Sequence, residues 1–141
     1  MISFWVHGKP QTKGSARAFI VKGRAIITND NPKAKAWQKQ IALSAKVAGA
    51  RPSGAAIALK ITYFLARPKS HYDSKGRLKV GIFPWPTGRV GDIDKMERVV
   101  LDALTGIAYR DDSQVVSVDQ TKQYGNAGWT GIKVSITEYQ S

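Results

Sequence analysis

The chain has no cysteine, few acidic residues and no long apolar run, and each shortage excludes a class of protein. Without cysteine, neither a disulfide framework nor a thiolate metal site is possible. No apolar stretch approaches the ~20 residues that a membrane-spanning helix needs. The N-terminal segment lacks the basic start and long apolar stretch of a signal peptide. We therefore expect a soluble, cytoplasmic protein with no membrane partner.

The few acidic residues are unevenly placed in a basic chain. The 141 residues include 22 lysines and arginines against 10 aspartates and glutamates, a formal net charge of +12. Seven of those ten carboxylates lie between Asp92 and Asp119. A basic surface attracts nucleic acids, and hard divalent cations select carboxylate oxygens. This layout is typical of a metal-dependent nuclease, and a merely solubilising surface charge is the alternative.

Hydrophobic periodicity predicts one α+β domain over residues 1–141, a mixed β-sheet with two main helices packed on it. Alternating apolar residues predict the strands, which lie at 2–7, 18–21, 25–28, 57–65, 115–122 and 130–137. Helical spacing predicts one helix from Asn31-Pro32 to Gly49 and a second from Ile93 to Thr105. The order of elements is therefore three strands, a helix, a strand, a helix and two strands.

Three further predictions concern parts of this fold. The glycine-rich connection at 125–128 predicts that the last two strands pair as a hairpin. Three tryptophans, Trp5, Trp37 and Trp129, are interpreted as core residues. Residues 66–91 break the periodicity and hold six lysines and arginines among prolines and glycines. Because so long a loop in a compact domain is usually functional or disordered, we predict a mobile basic loop there.

Two pairs of aspartates suggest a metal site. Asp92 and Asp94 would point ~200° apart on a regular helix, but they can converge if Asp92 is a non-helical N-cap and Asp94 lies in the first turn. The alternative is that both only cap the helix and interact with its dipole. With Asp111 and Asp112 following a helix later, three or four carboxylates can meet at one end of the sheet. Bound metal ions would then activate water to cut a phosphodiester.

A cation beside these carboxylates would neutralise the charge of the phosphorane. Arg98, one helical turn after Asp94, is placed for that role. The alternative is an ordinary salt bridge from Arg98 to Asp94 or Asp102, four residues away on either side.

The segment from Gly91 to Gly125 resembles the RusA family of Holliday-junction resolvases, which phages and prophages often encode. The shared motif consists of Asp92-x-Asp94, Leu101-Asp102-Ala103-Leu104, Asp111-Asp112-x-Gln114 and Lys122. Weaker similarities extend the resemblance over nearly the whole chain apart from residues 66–91, and these are Gly8-Lys9-Pro10, Lys13, Arg17, Thr28 and Trp37.

The resemblance implies that Asp92, Asp94 and Asp112 are catalytic carboxylates that bind Mg²⁺, with Mn²⁺ as a possible substitute. It implies paired, symmetric nicks in four-way DNA junctions during DNA recombination and repair. Lys95 and Arg98 stand where the family usually has Asn and Lys. Because arginine does not give up a proton as lysine can, an enzyme that needs a proton donor here would be slower or would use Lys95 instead.

Two nicks per junction need two active sites, and a chain this short has one, so we expect a homodimer. The basic residues expected to contact phosphates near the cut are Lys13, Arg17, Lys95, Arg98 and Lys122. Such contacts position DNA without reading its sequence. Two alternatives remain open at this point. One is a non-catalytic nucleic-acid-binding protein, and the other is a metal nuclease with broader specificity for branched DNA or RNA.

Overall fold

The computed structural model describes residues 1–12, 16–29, 33–88 and 91–139. Its strands are β1 (Ile2–His7), β2 (Ala16–Val21), β3 (Arg24–Asn29), β4 (Ala56–Leu65), β5 (Val115–Tyr124) and β6 (Gly131–Tyr139). Its helices are α1 (Lys33–Val47) and α2 (Ile93–Leu104), and three single-turn 3₁₀ helices lie at Lys69–His71, Asp112–Gln114 and Asn126–Gly128. The α+β class and the predicted order of strands and helices are both confirmed.

Four strands form the main sheet, in the order β1-β6-β4-β5, and β2 and β3 form a separate hairpin. β4 is antiparallel to β6 but parallel to β5. Parallel neighbours need a long crossover, and α2 lies in that connection. α2 therefore runs opposite to both strands. Its first turn lies at the end where β4 and β5 finish, and its last turn lies near the start of β5.

The core lies between one face of the sheet and the two helices. Alternate residues of β4 are buried, from Ile57 through Ile61 to Leu65, because a strand directs successive side chains to opposite faces. Trp37 and Ile41 of α1 contribute to the same cluster. No helix within the described ranges is long and apolar enough to span a membrane.

The predicted hairpin of β5 and β6 is wrong, because β4 lies between these two strands. The connection crosses the end of β4, where the Gly125 amide donates a hydrogen bond to the Leu65 carbonyl oxygen at 3.0 Å. Five residues of β4 are buried, whereas β5 has none in that class. The central position therefore goes to the more apolar strand, and β5 becomes an edge.

The interpretation of the tryptophans is right for Trp37, which is buried with 4% of its surface exposed, and wrong for Trp5, which is 56% exposed. Phe4 and Val6 occupy the core-facing positions of β1, so Trp5 between them must lie on the opposite face of the sheet. Trp129, at the end of the β5–β6 connection, is half-buried against Trp5 and is not part of the core either.

The basic loop carries local structure in its described part, residues 66–88. The Asp73 carboxylate accepts hydrogen bonds from the main-chain amides of Lys75 and Arg77, both at 2.9 Å. Tyr72 and Leu78 form an isolated antiparallel bridge across this turn. The mobility predicted for the loop stays a prediction.

Candidate active site

The chain turns sharply into α2 at Gly91 and Asp92. Gly91 has a φ of +84°, and a Cβ on it would lie 2.9 Å from Cδ1 of Leu65, so a glycine is needed here for both reasons. Asp92 follows as the N-cap with non-helical φ and ψ of −56° and 126°, and Asp94 lies in the first helical turn. This is the backbone arrangement that the two carboxylates need in order to converge.

Neither carboxylate has a structural role at the start of the helix. The Asp92 side chain makes no capping hydrogen bond, although its carbonyl oxygen accepts the Met96 amide at 3.0 Å. Its one ion pair among the described residues is with Lys95, at 3.8 Å between Nζ and Oδ2, and about half of each side chain is exposed. Exposed pairs of this kind contribute little to stability. Asp94 is exposed at the helix surface. Both carboxylates are therefore available to an external ligand.

Three predicted cations surround the same turn. Lys122 is half-buried on β5, and its Nζ donates to the Gly91 carbonyl oxygen at 3.3 Å, which fixes the end of β5 to the start of α2. Lys95 and Arg98 are exposed on the first two turns of α2. Within the described residues, Arg98 forms no ion pair with Asp94 or Asp102, so the alternative of a simple helical salt bridge is not realised.

A hydrogen-bond chain that the sequence did not predict lies beside this turn. The Tyr63 hydroxyl donates to Oε1 of Gln120 at 2.9 Å, and Nε2 of Gln120 donates to Oε2 of Glu97 at 3.0 Å. Burial, followed by the Glu97 charge, raises the pKa of Tyr63, so the phenol stays protonated and serves as a donor. The sequence feature that could have pointed to Glu97 is its position three residues after Asp94, close to it on the surface of a helix. This chain positions α2 on β4 and β5.

Asp111 has a structural role. It caps the 3₁₀ helix at Asp112–Gln114, where its carboxylate accepts the Ser113 amide at 3.0 Å. That hydrogen bond is the main cause that lowers the pKa of Asp111. Gln114 completes a capping box, and its Nε2 donates to the carbonyl oxygens of Ser53 and Ala55 at 2.7 and 2.8 Å. Asp111 and Gln114 therefore stabilise the 3₁₀ helix that leads into β5.

Asp112 is exposed and lies at the other end of the sheet from Asp92 and Asp94. It precedes the start of β5, whereas Lys122 near the end of that strand contacts the start of α2. The 12 residues of α2 correspond to a length of about 18 Å at 1.5 Å per residue. The side-chain hydrogen bond to Asp111, followed by desolvation and the charges of Asp111 and Asp102, raises the pKa of Asp112.

The expectation that three or four carboxylates meet is therefore wrong for a single chain. No group of three or more histidine or acidic side chains suited to a metal ion exists among the described residues. The reason is the parallel pairing of β4 and β5, which places the start of β5 at the far end of α2. Of the other predicted DNA contacts, Lys13 lies outside the described residues. Arg17 is on β2, and only its backbone is described.

Two comparisons with known proteins show what the chain is similar to. A family model described as "Endodeoxyribonuclease RusA" matches residues 7–137. An uncharacterised protein of Bacillus subtilis (strain 168), YqaN, is 31% identical over 129 residues, which cover 87% of this chain and 87% of that protein. The family match extends over nearly the whole described fold, including both ends of α2. The chain therefore belongs to the RusA family of endodeoxyribonucleases, hydrolases that resolve Holliday junctions.

Proposed function

We propose that this endodeoxyribonuclease resolves four-way DNA junctions by paired, symmetric nicks, with Mg²⁺ held by Asp92 and Asp94 of one protomer and Asp112 of its partner. The observation that carries this proposal is the first turn of α2. There, two carboxylates follow a glycine with positive φ, neither has a structural role, and Lys95, Arg98 and Lys122 surround them. Such placement at a helix start, without capping, favours a ligand role for both aspartates.

The donor set fits a hard divalent cation, which members of this family generally require. Carboxylate oxygens are the ligands that magnesium selects in proteins. When bound, the metal would supply Lewis-acid chemistry and lower the pKa of a coordinated water. The protein's own cations orient the scissile phosphate and offset its developing charge. Arg98 does so as a fixed positive charge, and Lys95 is the residue able to exchange a proton.

A homodimer completes the site in this proposal. β5 is an edge strand of ten residues, and among the described residues its ladder is with β4 on one side. An edge strand of this length can pair with a copy of itself across a two-fold axis. In an antiparallel pair of β5 strands, the end that carries Asp112 meets the partner end that carries Lys122 and, beside it, Asp92 and Asp94. Each dimer then has two composite sites.

Selectivity for branched DNA would come from shape rather than sequence. Two sites related by a two-fold axis match the symmetry of a four-way junction. Contacts from Lys13, Arg17, Lys95, Arg98 and Lys122 to phosphates would position the arms without reading bases. A role in DNA recombination and repair follows from such an activity.

The proposal is tested by cleavage of an end-labelled synthetic four-way junction with and without Mg²⁺. We expect paired nicks that need the metal, and we expect Asp94→Asn to lower the rate by about 100-fold or more while junction binding persists, as for loss of a key electrostatic group. Glu138→Gln, an exposed carboxylate at the end of β6, is the matched control and should cleave normally. Tight junction binding with no cleavage by the wild type, in Mg²⁺ or Mn²⁺, would contradict the proposal.

A further inference from the structure

The face of the main sheet opposite the helices is uncovered and has an unusual composition. Its exposed and half-buried positions come from four strands, and they include Ser3, Trp5, His7, Ala58, Lys60, Thr62, Phe64, Ser117, Asp119, Thr121, Gln123, Lys133, Ser135 and Thr137. Three properties stand out in this set: aromatic rings, lysines and short hydroxyl side chains. It contains a single carboxylate, that of Asp119.

One end of this face carries a group of rings that we call the aromatic platform, formed by Trp5, Phe64 and Trp129. Trp5 and Phe64 are stacked, with ring centroids 5.7 Å apart and planes inclined by 27°. Trp129 meets both rings edge-on, at 5.6 Å from Trp5 and 5.4 Å from Phe64. Because its neighbours fix the Trp5 ring while 56% of the residue stays exposed, the platform presents a rigid apolar surface to solvent.

A basic depression continues from the platform along the sheet. It has a volume of about 450 Å³, and its walls include Lys60, Lys133 and Asp119 together with the hydroxyls of Thr62, Ser117, Ser135 and Thr137. The Lys133 ammonium lies over the Trp5 ring, 5.1 Å from its centroid, and so joins the two regions. An aromatic surface and a lysine-lined polar depression are therefore directly adjacent.

We propose that this open face binds single-stranded DNA, with an unpaired base on Trp5 and the neighbouring phosphates at Lys133 and Lys60. Bases stack on exposed aromatic rings whatever their sequence, and lysines beside the rings follow the phosphate backbone. Two lysines against one carboxylate give the depression the charge that a polyanion requires. The polar hydroxyl walls suit a sugar–phosphate chain better than the apolar surface of a protein partner.

This surface is separate from the candidate active site and does not depend on the proposed metal chemistry. Asp92 and Asp94 lie at the start of α2, which packs on the other face of the sheet. Binding of unpaired DNA here would add a second contact with a DNA substrate that has opened bases. The affinity for single strands can therefore be measured in EDTA, where no metal-dependent cleavage occurs.

The test is fluorescence anisotropy of labelled (dT)₁₂ with the full-length protein in EDTA. We expect Trp5→Ala to weaken binding by about tenfold or more, as loss of one stacked base does elsewhere, and Trp5→Phe to retain most of the affinity. Trp85→Ala is the matched comparison, because Trp85 is 50% exposed but lies in the basic loop. For the charge, Lys133→Ala should weaken binding more than Lys39→Ala, which removes an exposed lysine from α1.

Two controls distinguish base stacking on Trp5 from a loss of folding and from general attraction to phosphates. Thermal unfolding must show that each variant is folded, and affinity for the (dA)₁₂·(dT)₁₂ duplex should be nearly unchanged in Trp5→Ala. Equal losses for single strand and duplex, or a loss with Trp85→Ala but not with Trp5→Ala, would overturn the proposal. Conversion of a dimer to a monomer by Trp5→Ala would assign the face to a second copy of the chain instead. Junction cleavage is a separate readout, so failure here leaves the proposed nuclease function unaffected.

Discussion

At the scale of single residues, Asp92 and Asp111 show why a sequence motif does not assign a role. Both are N-caps, one of α2 and one of the 3₁₀ helix that precedes β5. The Asp111 carboxylate accepts a main-chain hydrogen bond as a cap, whereas the Asp92 carboxylate makes no capping hydrogen bond. From the sequence, Asp92 has two possible roles, and only the local geometry separates them.

This difference predicts opposite effects on stability. Asp111→Ala should lower the melting temperature because it removes the cap of the turn before β5. Asp92→Ala should not lower it and should weaken metal binding instead. Thermal unfolding in EDTA, followed by the shift of the melting temperature on adding Mg²⁺, measures both effects. Destabilisation by Asp92→Ala in EDTA as large as that by Asp111→Ala would show that Asp92 is a structural residue.

Asp73 gives a prediction of pH dependence. The main-chain hydrogen bond from Arg77 is the main cause that holds the pKa of Asp73 below its ordinary value of 3.8. For a carboxylate with a lowered pKa, the stabilisation is present above the unfolded value and is lost as the pH falls through the folded one. The amide NMR signals of Lys75 and Arg77 should therefore titrate together, with a midpoint below the ordinary pKa of 3.8. Asp73→Asn should abolish that titration, and a midpoint above the ordinary value would contradict the assignment.

At the scale of elements, the position of α2 depends on its contacts with β4 and β5. Gly91 lets the chain pass against Leu65, Lys122 binds the Gly91 carbonyl oxygen, and Gln120 links Glu97 to Tyr63. Each contact joins the first half of α2 to the ends of the two parallel strands. The carboxylates at the start of α2 are thereby held on a rigid element, as their proposed catalytic role requires.

A glycine pair tests this description of the helix start. Gly91 and Gly81 have similar φ values, +84° and +80°, but only at Gly91 would a Cβ meet other atoms. Gly81→Ala should cost about 1 kcal/mol from backbone strain alone. Gly91→Ala should cost clearly more, by chemical denaturation, and should also reduce junction cleavage. Equal costs at the two positions would mean that the contact with Leu65 is unimportant.

The sequence predicted the elements of this fold well and their pairing less well. Alternation in β4 and helical spacing in α1 and α2 depend on local patterns, so these elements and the buried Trp37 could be predicted. The order of strands could not, because the glycines at 125–128 permit either a hairpin or a crossing over β4. The same limit applies to the site. The motif identified Asp112, but its distance from Asp94 depends on the direction of β5.

At the scale of the whole molecule, the separation of Asp112 from Asp92 and Asp94 bears directly on the proposed dimer. Because Asp94 and Asp112 of one chain lie at opposite ends of α2, they cannot bind the same metal ion. In the proposed site a second chain therefore supplies the third carboxylate. The proposed self-pairing of β5 does this without any change in the fold of the protomer. It also covers an edge strand whose Val116 side chain is largely exposed.

Mixed dimers provide the corresponding test. Homodimers of Asp94→Asn and of Asp112→Asn should both be inactive. In a mixed dimer, one composite site carries both substitutions and the other carries neither, so each mixed dimer should nick at about half of the wild-type rate. Random exchange of equal amounts makes about half of the dimers mixed, so about a quarter of the wild-type single-nick rate should return. If all ligands come from one chain, both sites of the mixed dimer stay defective. No recovery, with exchange verified by native mass spectrometry, would contradict the composite site.

The length of α2 then acquires a meaning beyond packing. Each composite site would join the start of α2 in one chain to the residues near the end of α2 in the other chain. The length of α2, about 18 Å, would then set the spacing between the two cuts. Lengthening it by a full turn would preserve which side chains face the sheet. It would nevertheless move Asp94 away from the Asp112 of the neighbouring chain, so both composite sites would come apart and neither strand would be cut.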